Sequence, residues 1–498
     1  MAIHLKAPTK MNRLTIDLKN ADLFKQEAFI NGQWTKGTEK KTFPVYNPFN
    51  KMIIAEVSDL QVSDFDHAAQ AANIAFPTWA KLTSYERSSI LTKWHNLIIE
   101  NERDLAAILT LEQGKPFQEA LGEIRYGATF IEWFAAEAVR VYGDIIPSPD
   151  ANKRISVIKQ PIGVVVAITP WNFPNAMITR KIAPALAAGC TVLVKPAEDT
   201  PLSALALAVL AEKAGIPKGV LNILPTSKPS IAGDFFCAHK NIQKISFTGS
   251  TKTGKYLMEK GAATLKKLSL ELGGNAPFIV FDDADVDAAV KGAILSKYRN
   301  AGQTCVCTNR FLIHVNILDS FKEKLALEVN KMKVGDGFLD DTQIGPLINE
   351  AAIKKVNYLL NDAIEKGAKI FYSKNTSVDN TVISPIILTQ VTPDMALSKE
   401  EIFGPISAIT SFSTEEDAIY IANNTEFGLA SYIYTKDNAR IHRVTEALQY
   451  GMVGVNTGII SYAAAPFGGI KESGFGREGS KYGIDEFQIL KYICTDIS

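Results

Sequence analysis

The sequence is short of the features that mark several large protein classes. Its 498 residues include only five cysteines and six histidines. Five cysteines in so long a chain make no disulfide framework, which points to a reducing, cytoplasmic setting. The histidines and cysteines are not spaced as metal ligands, so no metal site is expected. An excess charge is missing too: 53 basic and 53 acidic side chains cancel, which argues against nucleic-acid or membrane partners. The first residues, Met1 to Pro8, lack the apolar core of a signal peptide. The longest apolar run, Ile182 to Val194, contains Pro184 and is too short to span a bilayer. No internal repeat or low-complexity segment stands out.

What is there is an ordinary globular composition, 46% hydrophobic and 21% charged, at a length that calls for two or more domains. The early part reads as helical. Thr83 and Glu86 have capping-box spacing, and Ile90, Leu91, Trp94, Leu97 and Ile98 recur on one helical face. From about residue 155 the rhythm changes. The runs 162–168, 191–194, 220–224 and 244–247 are short and apolar, and helical sequence lies between them. Thr200 is a candidate cap for one such helix, Pro201 suits its first turn, and Gly215 with Pro217 ends it. Apolar strands alternating with helices predict parallel βαβ units. The pattern restarts at residues 277–281, which predicts a second α/β unit. The C-terminal run 489–494 reads as a strand able to pair outside its own unit.

Several residues carry possible chemistry, each with a plainer alternative. Cys305, in Gly302-Gln303-Thr304-Cys305-Val306-Cys307, is a nucleophile or a buried structural thiol. Glu271 precedes Leu272-Gly273-Gly274. Its carboxylate can swing on the glycines to activate a thiol or a water, or it merely ends a strand. Asn172, between Pro170 and Pro174, is an oxyanion donor or a turn residue. Thr248-Gly249-Ser250-Thr251 follows a strand and opens a helix, as a phosphate site or a simple cap. It is neither the dinucleotide fingerprint nor a Walker loop. Lys195 and Glu198 close a strand where ribose hydroxyls can bind, or form a solvated pair.

Taken in order, Trp171-Asn172-Phe173-Pro174, Lys195-Pro196-Ala197-Glu198, Phe247-Thr248-Gly249-Ser250-Thr251, Glu271-Leu272-Gly273-Gly274, Gly302-Gln303-Thr304-Cys305, Glu401-Ile402-Phe403-Gly404-Pro405 and Pro466-Phe467-Gly468-Gly469 resemble the aldehyde dehydrogenase superfamily over residues 25–495. Within it the segments Arg299 to Cys307, Ala176 to Lys181 and Asn456 to Ser461 are most similar to succinate-semialdehyde dehydrogenases, enzymes of GABA degradation. The resemblance implies an α/β fold of two parallel-sheet domains plus a small β oligomerisation segment. A Rossmann-like cofactor domain would occupy residues 20–140 and 160–272, a catalytic domain 273–465, and the oligomerisation segment 141–159 and 484–498, giving a homo-oligomer, dimer or tetramer.

For the site, the resemblance implies that Cys305 attacks an aldehyde, Asn172 holds the oxyanion and Glu271 activates water. Ile168, Thr169, Trp171, Lys195, Glu198, Gly249, Ser250, Leu272, Glu401 and Phe403 would hold the cofactor. That cofactor would be NAD, because Glu198 repels a 2′-phosphate, with NADP possible through Lys195. Arg180, Arg299 and Ser461 would hold the distal carboxylate of a small aldehyde; a helix-terminal salt bridge is the alternative for each arginine. Cys307 would form a reversible disulfide with Cys305, or only pack the loop. Glutarate semialdehyde, or a small hydroxy- or amino-aldehyde, is the alternative substrate. A thiol hydrolase or acyltransferase would instead pair Cys305 with a histidine, of which His314 is nearest in sequence. A non-catalytic protein on the same fold would have no need of Cys305, Glu271 and Asn172 together.

Overall fold

The computed structural model describes residues 5–6, 15–374 and 381–498. Of the N-terminal stretch read for a signal peptide, residues 1–4 and 7–8 lie outside the described residues. The apolar runs form two large sheets. The first has the strand order Gly474–Phe475, Lys267–Glu271, Ile242–Thr248, Val164–Ile168, Thr191–Lys195, Leu221–Ile223, Ala28–Ile30, Gln33–Thr35. Its five inner strands are parallel and its edges antiparallel. The inner strands are buried almost throughout, which is why they read as continuous apolar runs rather than alternating ones. The order reverses at Val164–Ile168, because later strands are added on one side and then on the other. A crevice therefore opens beyond the C-terminal ends of Val164–Ile168 and Ile242–Thr248, the usual ligand position in such sheets.

Helices cover this sheet as the sequence predicts. Thr83 and Glu86 form their capping box, with reciprocal bonds of 3.2 and 2.7 Å. Leu91, Trp94 and Ile98 are fully buried, with Ile90 and Leu97 packed beside them. The helix Ala176–Ala188 is buried along its whole length, and the apolar run 182–194 divides between it and the strand Thr191–Lys195. One expectation fails. Thr200 does not cap the helix Leu202–Ala214, which begins a residue later, after Pro201. The buried Glu112 carboxylate accepts from the N–H groups of Leu202 (2.7 Å) and Ser203 (2.8 Å) instead, leaving the Thr200 hydroxyl without a partner. A carboxylate from a packed neighbour is the stronger acceptor, and tertiary contact overrides the local cap. Gly215 ends the helix in the left-handed conformation (φ 97°).

The second sheet runs Lys369–Ser373, Ile386–Thr389, Ile406–Phe412, Thr308–His314, Ala276–Val280, Ala430–Tyr434, Met452–Val455, parallel except at the first edge. It restarts where the sequence rhythm restarts. A third, antiparallel sheet joins Asp144–Ile146, Lys153–Pro161 and Gln488–Asp496, so the C-terminal strand pairs outside both large sheets. Among the described residues no helix is long and apolar enough to cross a membrane.

Candidate active site

Cys305 sits between the turn Arg299–Gly302 and the strand Thr308–His314. The helix Val286–Lys297 ends at Tyr298, and the chain then runs left-handed through Asn300 (φ 52°), Ala301 (φ 56°) and Gly302 (φ 79°). For a residue with a side chain, this conformation costs about 1–2 kcal/mol. Hydrogen bonds hold the turn. The Asn300 N–H donates to Glu119 Oε2 (2.8 Å), and its side-chain amide donates to the Asn172 carbonyl (2.9 Å). Gln303 Nε2 donates to the Asn300 and Pro346 carbonyls, and Gln303 Oε1 accepts from the Ile348 N–H. A Cβ on Gly274 would lie 2.6 Å from the Cys305 carbonyl, so only glycine lets the two backbones meet there.

A cavity of about 400 Å³ opens over Cys305. Trp171 and Asn172 reach it from the loop after Val164–Ile168; Thr248, Gly249 and Ser250 reach it from the end of Ile242–Thr248. Leu272 and Gly273 follow Lys267–Glu271, while Glu401 and Phe403 precede Ile406–Phe412. The cavity thus lies at the crevice where the order of the first sheet reverses, and loops of the second sheet close it. The Trp171 and Phe403 rings meet edge to face at 5.5 Å, with Phe403 itself left-handed (φ 55°). Glu401 Oε1 accepts from the Gly274 N–H at 3.3 Å, and burial pushes its carboxyl up to about 7.

Ile168 ends its strand, and Thr169 ties it to the next through its N–H and the Lys195 carbonyl (3.2 Å). Lys195 and Glu198 lie outside this cavity. Their side chains pair at 3.1 Å, and Glu198 lines an adjoining cavity of about 280 Å³. Ile348 and Asn349 border both cavities, so the two form one elongated tract.

Asn172 Nδ2 donates to the Gln303 carbonyl (3.0 Å), which leaves its second amide hydrogen for a ligand. Burial pushes the Cys305 thiol up to about 12, with Glu401 and Glu271 adding to it while Arg180 and Arg299 oppose it. Glu271 is buried beside the cavity, and neither carboxylate oxygen has a partner. Burial and the nearby Glu478 hold its carboxyl well above the ordinary carboxylate range, against Lys181 and Arg180. Cys307 does not line the cavity. Its thiol lies 3.4 Å from the carbonyls of Lys297 and Thr308, contacts it would have to leave to bond Cys305.

Of the three residues expected to hold the substrate, Arg180 and Arg299 act on the Cys305 thiol through their charge, and none lines the cavity. Arg180 is fully buried. Its Nε lies 2.5 Å from Glu478 Oε2 without hydrogen-bond alignment, and its Nη2 has no partner. Its guanidinium stacks 4.0 Å from the Phe467 ring centroid. Lys181 shares the same Glu478 carboxylate. Arg299 is half-buried, 5.2 Å from the Phe173 ring centroid. Ser461 lies near the Tyr126 hydroxyl, which is also within the field of both arginines.

Tyr126, Lys115, Glu123, Lys181 and Glu478 escape the reading from sequence. A signal was present for two of them: Glu119, Glu123, Tyr126 and Phe130 recur on one face of the helix Phe117–Glu137. Among the described residues no histidine lines the cavity. His314 ends its strand, packs on Phe412 and bonds the Ser413 carbonyl at 3.0 Å, so a Cys–His pair is not formed.

The aldehyde dehydrogenase family matches residues 34–493. The chain belongs to that family. It is 53% identical over 482 residues to a glutarate-semialdehyde dehydrogenase of Pseudomonas putida, covering 97% of this chain and 100% of the relative. It is 53% identical over 481 residues to the NADP(+) succinate-semialdehyde dehydrogenase of Escherichia coli, covering 96% of this chain and 100% of the relative. A solved aldehyde dehydrogenase from Brucella melitensis biovar abortus 2308 superposes with a TM-score of 0.96 at 54% identity, over 97% of this chain and 100% of that one.

Proposed function

We propose that this aldehyde dehydrogenase oxidises succinate semialdehyde to succinate through a thioester on Cys305, with NAD(P)+ as oxidant. The observation that carries the substrate is the unbalanced cationic cluster around Arg180, whose field, with that of Arg299, reaches the Cys305 thiol. Arg180 and Lys181 share the single carboxylate of Glu478, so positive charge is left over, and the unpartnered Arg180 Nη2 is a buried donor awaiting an acceptor. Arg299 and Ser461 complete a clamp for one distal carboxylate. The relatives from Pseudomonas putida and Escherichia coli act on C5 and C4 semialdehydes, and both suit this charge. Glutarate semialdehyde is therefore the second reading.

The tract between the sheets fits a dinucleotide. The buried hydroxyls of Thr169 and Thr248 have no partner, and Ser250 caps a twelve-residue helix whose N-terminus favours phosphate. Trp171, Leu272, Glu401 and Phe403 would hold the nicotinamide half, with Lys195 and Glu198 on the adenosine ribose. The Glu198 carboxylate favours NAD over NADP. The nicotinamide, bound there, supplies the acceptor for the hydride that leaves the substrate carbon. The Cys305 thiol first gives its proton to the Glu271 carboxylate, which passes it to solvent; the sulfur adds to the aldehyde carbon, and the Asn172 amide and the Cys305 N–H receive the oxyanion. Once the thioester has formed, the Gly273-Gly274 hinge lets the Glu271 carboxylate take a proton from water. That water adds to the thioester carbon and releases the acid and the Cys305 thiol. We read the third sheet, whose Ile145 is 90% and Leu490 72% exposed, as the surface that pairs copies into a homo-oligomer, and the compartment as the cytoplasm.

The test is steady-state NADH formation from succinate semialdehyde, glutarate semialdehyde, glycolaldehyde and propanal, with wild type and Arg299→Ala. We expect kcat/KM highest for succinate semialdehyde and its margin over propanal removed in the variant. Equal rates on uncharged aldehydes, unchanged in Arg299→Ala, would overturn the substrate.

A further inference from the structure

We propose that the buried ion pair Lys115–Glu123 is a positioning device for the oxyanion donor, acting on the reaction through the loop that carries Asn172. The proposal rests on the reading of Asn172 given above. The pair is short, 2.5 Å, and each side chain is 1% exposed. Burying two charges costs several kcal/mol per ion, and apolar residues of similar volume are often as stable or more so. Stability alone therefore gives this pair no reason to exist. Its remaining bonds do.

Lys115 Nζ also donates to the Asn172 carbonyl (2.8 Å) and lies 3.9 Å from the Phe173 ring centroid. Glu123 Oε1 accepts from the N–H groups of Asn175 (2.9 Å) and Ala176 (3.2 Å), where the helix bearing Arg180 begins. One ion pair thus grips the loop at residues 172, 173, 175 and 176. The Asn172 amide is held at its tip by a single hydrogen bond. One hydrogen is used on the Gln303 carbonyl, and its Oδ1 has no partner. The direction of the free hydrogen follows from that bond and from where the Asn172 backbone is held.

The pair is itself anchored. The Phe117 N–H bonds the Gly337 carbonyl at 2.9 Å, and a Cβ on Gly345 would come within 2.4 Å of the Gly114 carbonyl. The segment 337–345 thus clasps the backbone around Lys115. An error of about 1 Å at a reacting centre can cost on the order of 100-fold in rate.

The experiment uses the full-length enzyme and the double variant Lys115→Met/Glu123→Leu, which removes both charges together and leaves neither buried alone. Kinetics on succinate semialdehyde and propanal, the thermal midpoint and the NADH dissociation constant by fluorescence are compared with Asn172→Ala and with the triple variant. We expect a midpoint and an NADH affinity near wild type. We expect kcat to fall about 10- to 100-fold on both aldehydes with little change in KM, and no further loss when the change is added to Asn172→Ala. Glu123→Gln, which keeps a carbonyl oxygen for the two N–H groups, serves if the double variant does not fold. It should show a smaller kcat loss that is likewise absorbed by Asn172→Ala. Unchanged kcat in the folded variant, or losses that multiply with Asn172→Ala, would overturn the proposal. Full kcat in Asn172→Ala itself would overturn the oxyanion reading and this inference together. A loss in Asn172→Ala but none in either pair variant would overturn only the inference.

Discussion

The two large sheets present opposite ends to one cavity. In the first, the candidate residues that line the cavity follow strands: Trp171 and Asn172 after Val164–Ile168, Gly249 and Ser250 after Ile242–Thr248, Leu272 after Lys267–Glu271. In the second the cavity-lining candidates precede strands: Cys305 before Thr308–His314, and Glu401 and Phe403 before Ile406–Phe412. The backbones differ as well. Left-handed residues with side chains, Asn300, Ala301 and Phe403, fall on the second side, while the cavity-lining loops of the first side carry none. Binding a dinucleotide needs regular strand ends and helix N-termini, which are low in energy. Presenting a thiol and a cation at fixed positions takes an irregular turn, whose strain the surrounding contacts must offset.

The division of labour can be broken most sharply at the thiol. Cys305→Ser should lower aldehyde oxidation on the order of 10³-fold or more while leaving NADH binding, which we assign to the first sheet, near wild type by fluorescence titration. A parallel loss of NADH affinity would show that the two sides are not separable. Glu271→Gln comes next, with kcat lower by about 10²- to 10⁴-fold. Its pH profile sharpens the point. A base works when ionised, and burial holds this carboxyl well above the usual range. The wild-type rate should therefore climb with pH beyond the point where an ordinary glutamate is fully ionised, and the variant should lose that climb.

Asn300→Ala removes a side chain that suits the left-handed turn and bonds the Asn172 carbonyl. We expect a stability loss of about 1–3 kcal/mol by denaturant titration, together with a lower kcat. A loss of stability with kcat intact would mean that the strained turn serves folding alone. The smallest effect lies far from the cavity. Thr83→Ala breaks a capping box on an exposed helix end, costing about 1 kcal/mol with no change in kcat. A change in rate there would show coupling between helix ends and site.

The same contrast explains what was legible in the chain. The first side was easy to read because its signals are local. Apolar runs gave the strands, and Gly215 and the Thr83–Glu86 box gave helix ends, since these depend on neighbours a few residues away. Thr200 misled because its rival cap, Glu112, comes from a distant helix. The order and spacing of the motifs around Asn172, Glu271 and Cys305 were enough to suggest the family. The electrostatic surroundings of those residues were not readable. Lys115 meets Asn172, and Arg180 meets Glu478, only in the folded chain.

The sequence by itself determined the alternation of strands and helices, the restart that makes two sheets, and the identity of the reactive groups. These follow from backbone propensity, apolar periodicity and side-chain chemistry, which are properties of the residues and their near neighbours. Only the tertiary structure decided which strand ends face each other, which carboxyl is buried without a partner, and which cation is left with an open donor. Those depend on desolvation and on charges brought together across the fold, and neither has a value until the chain is packed.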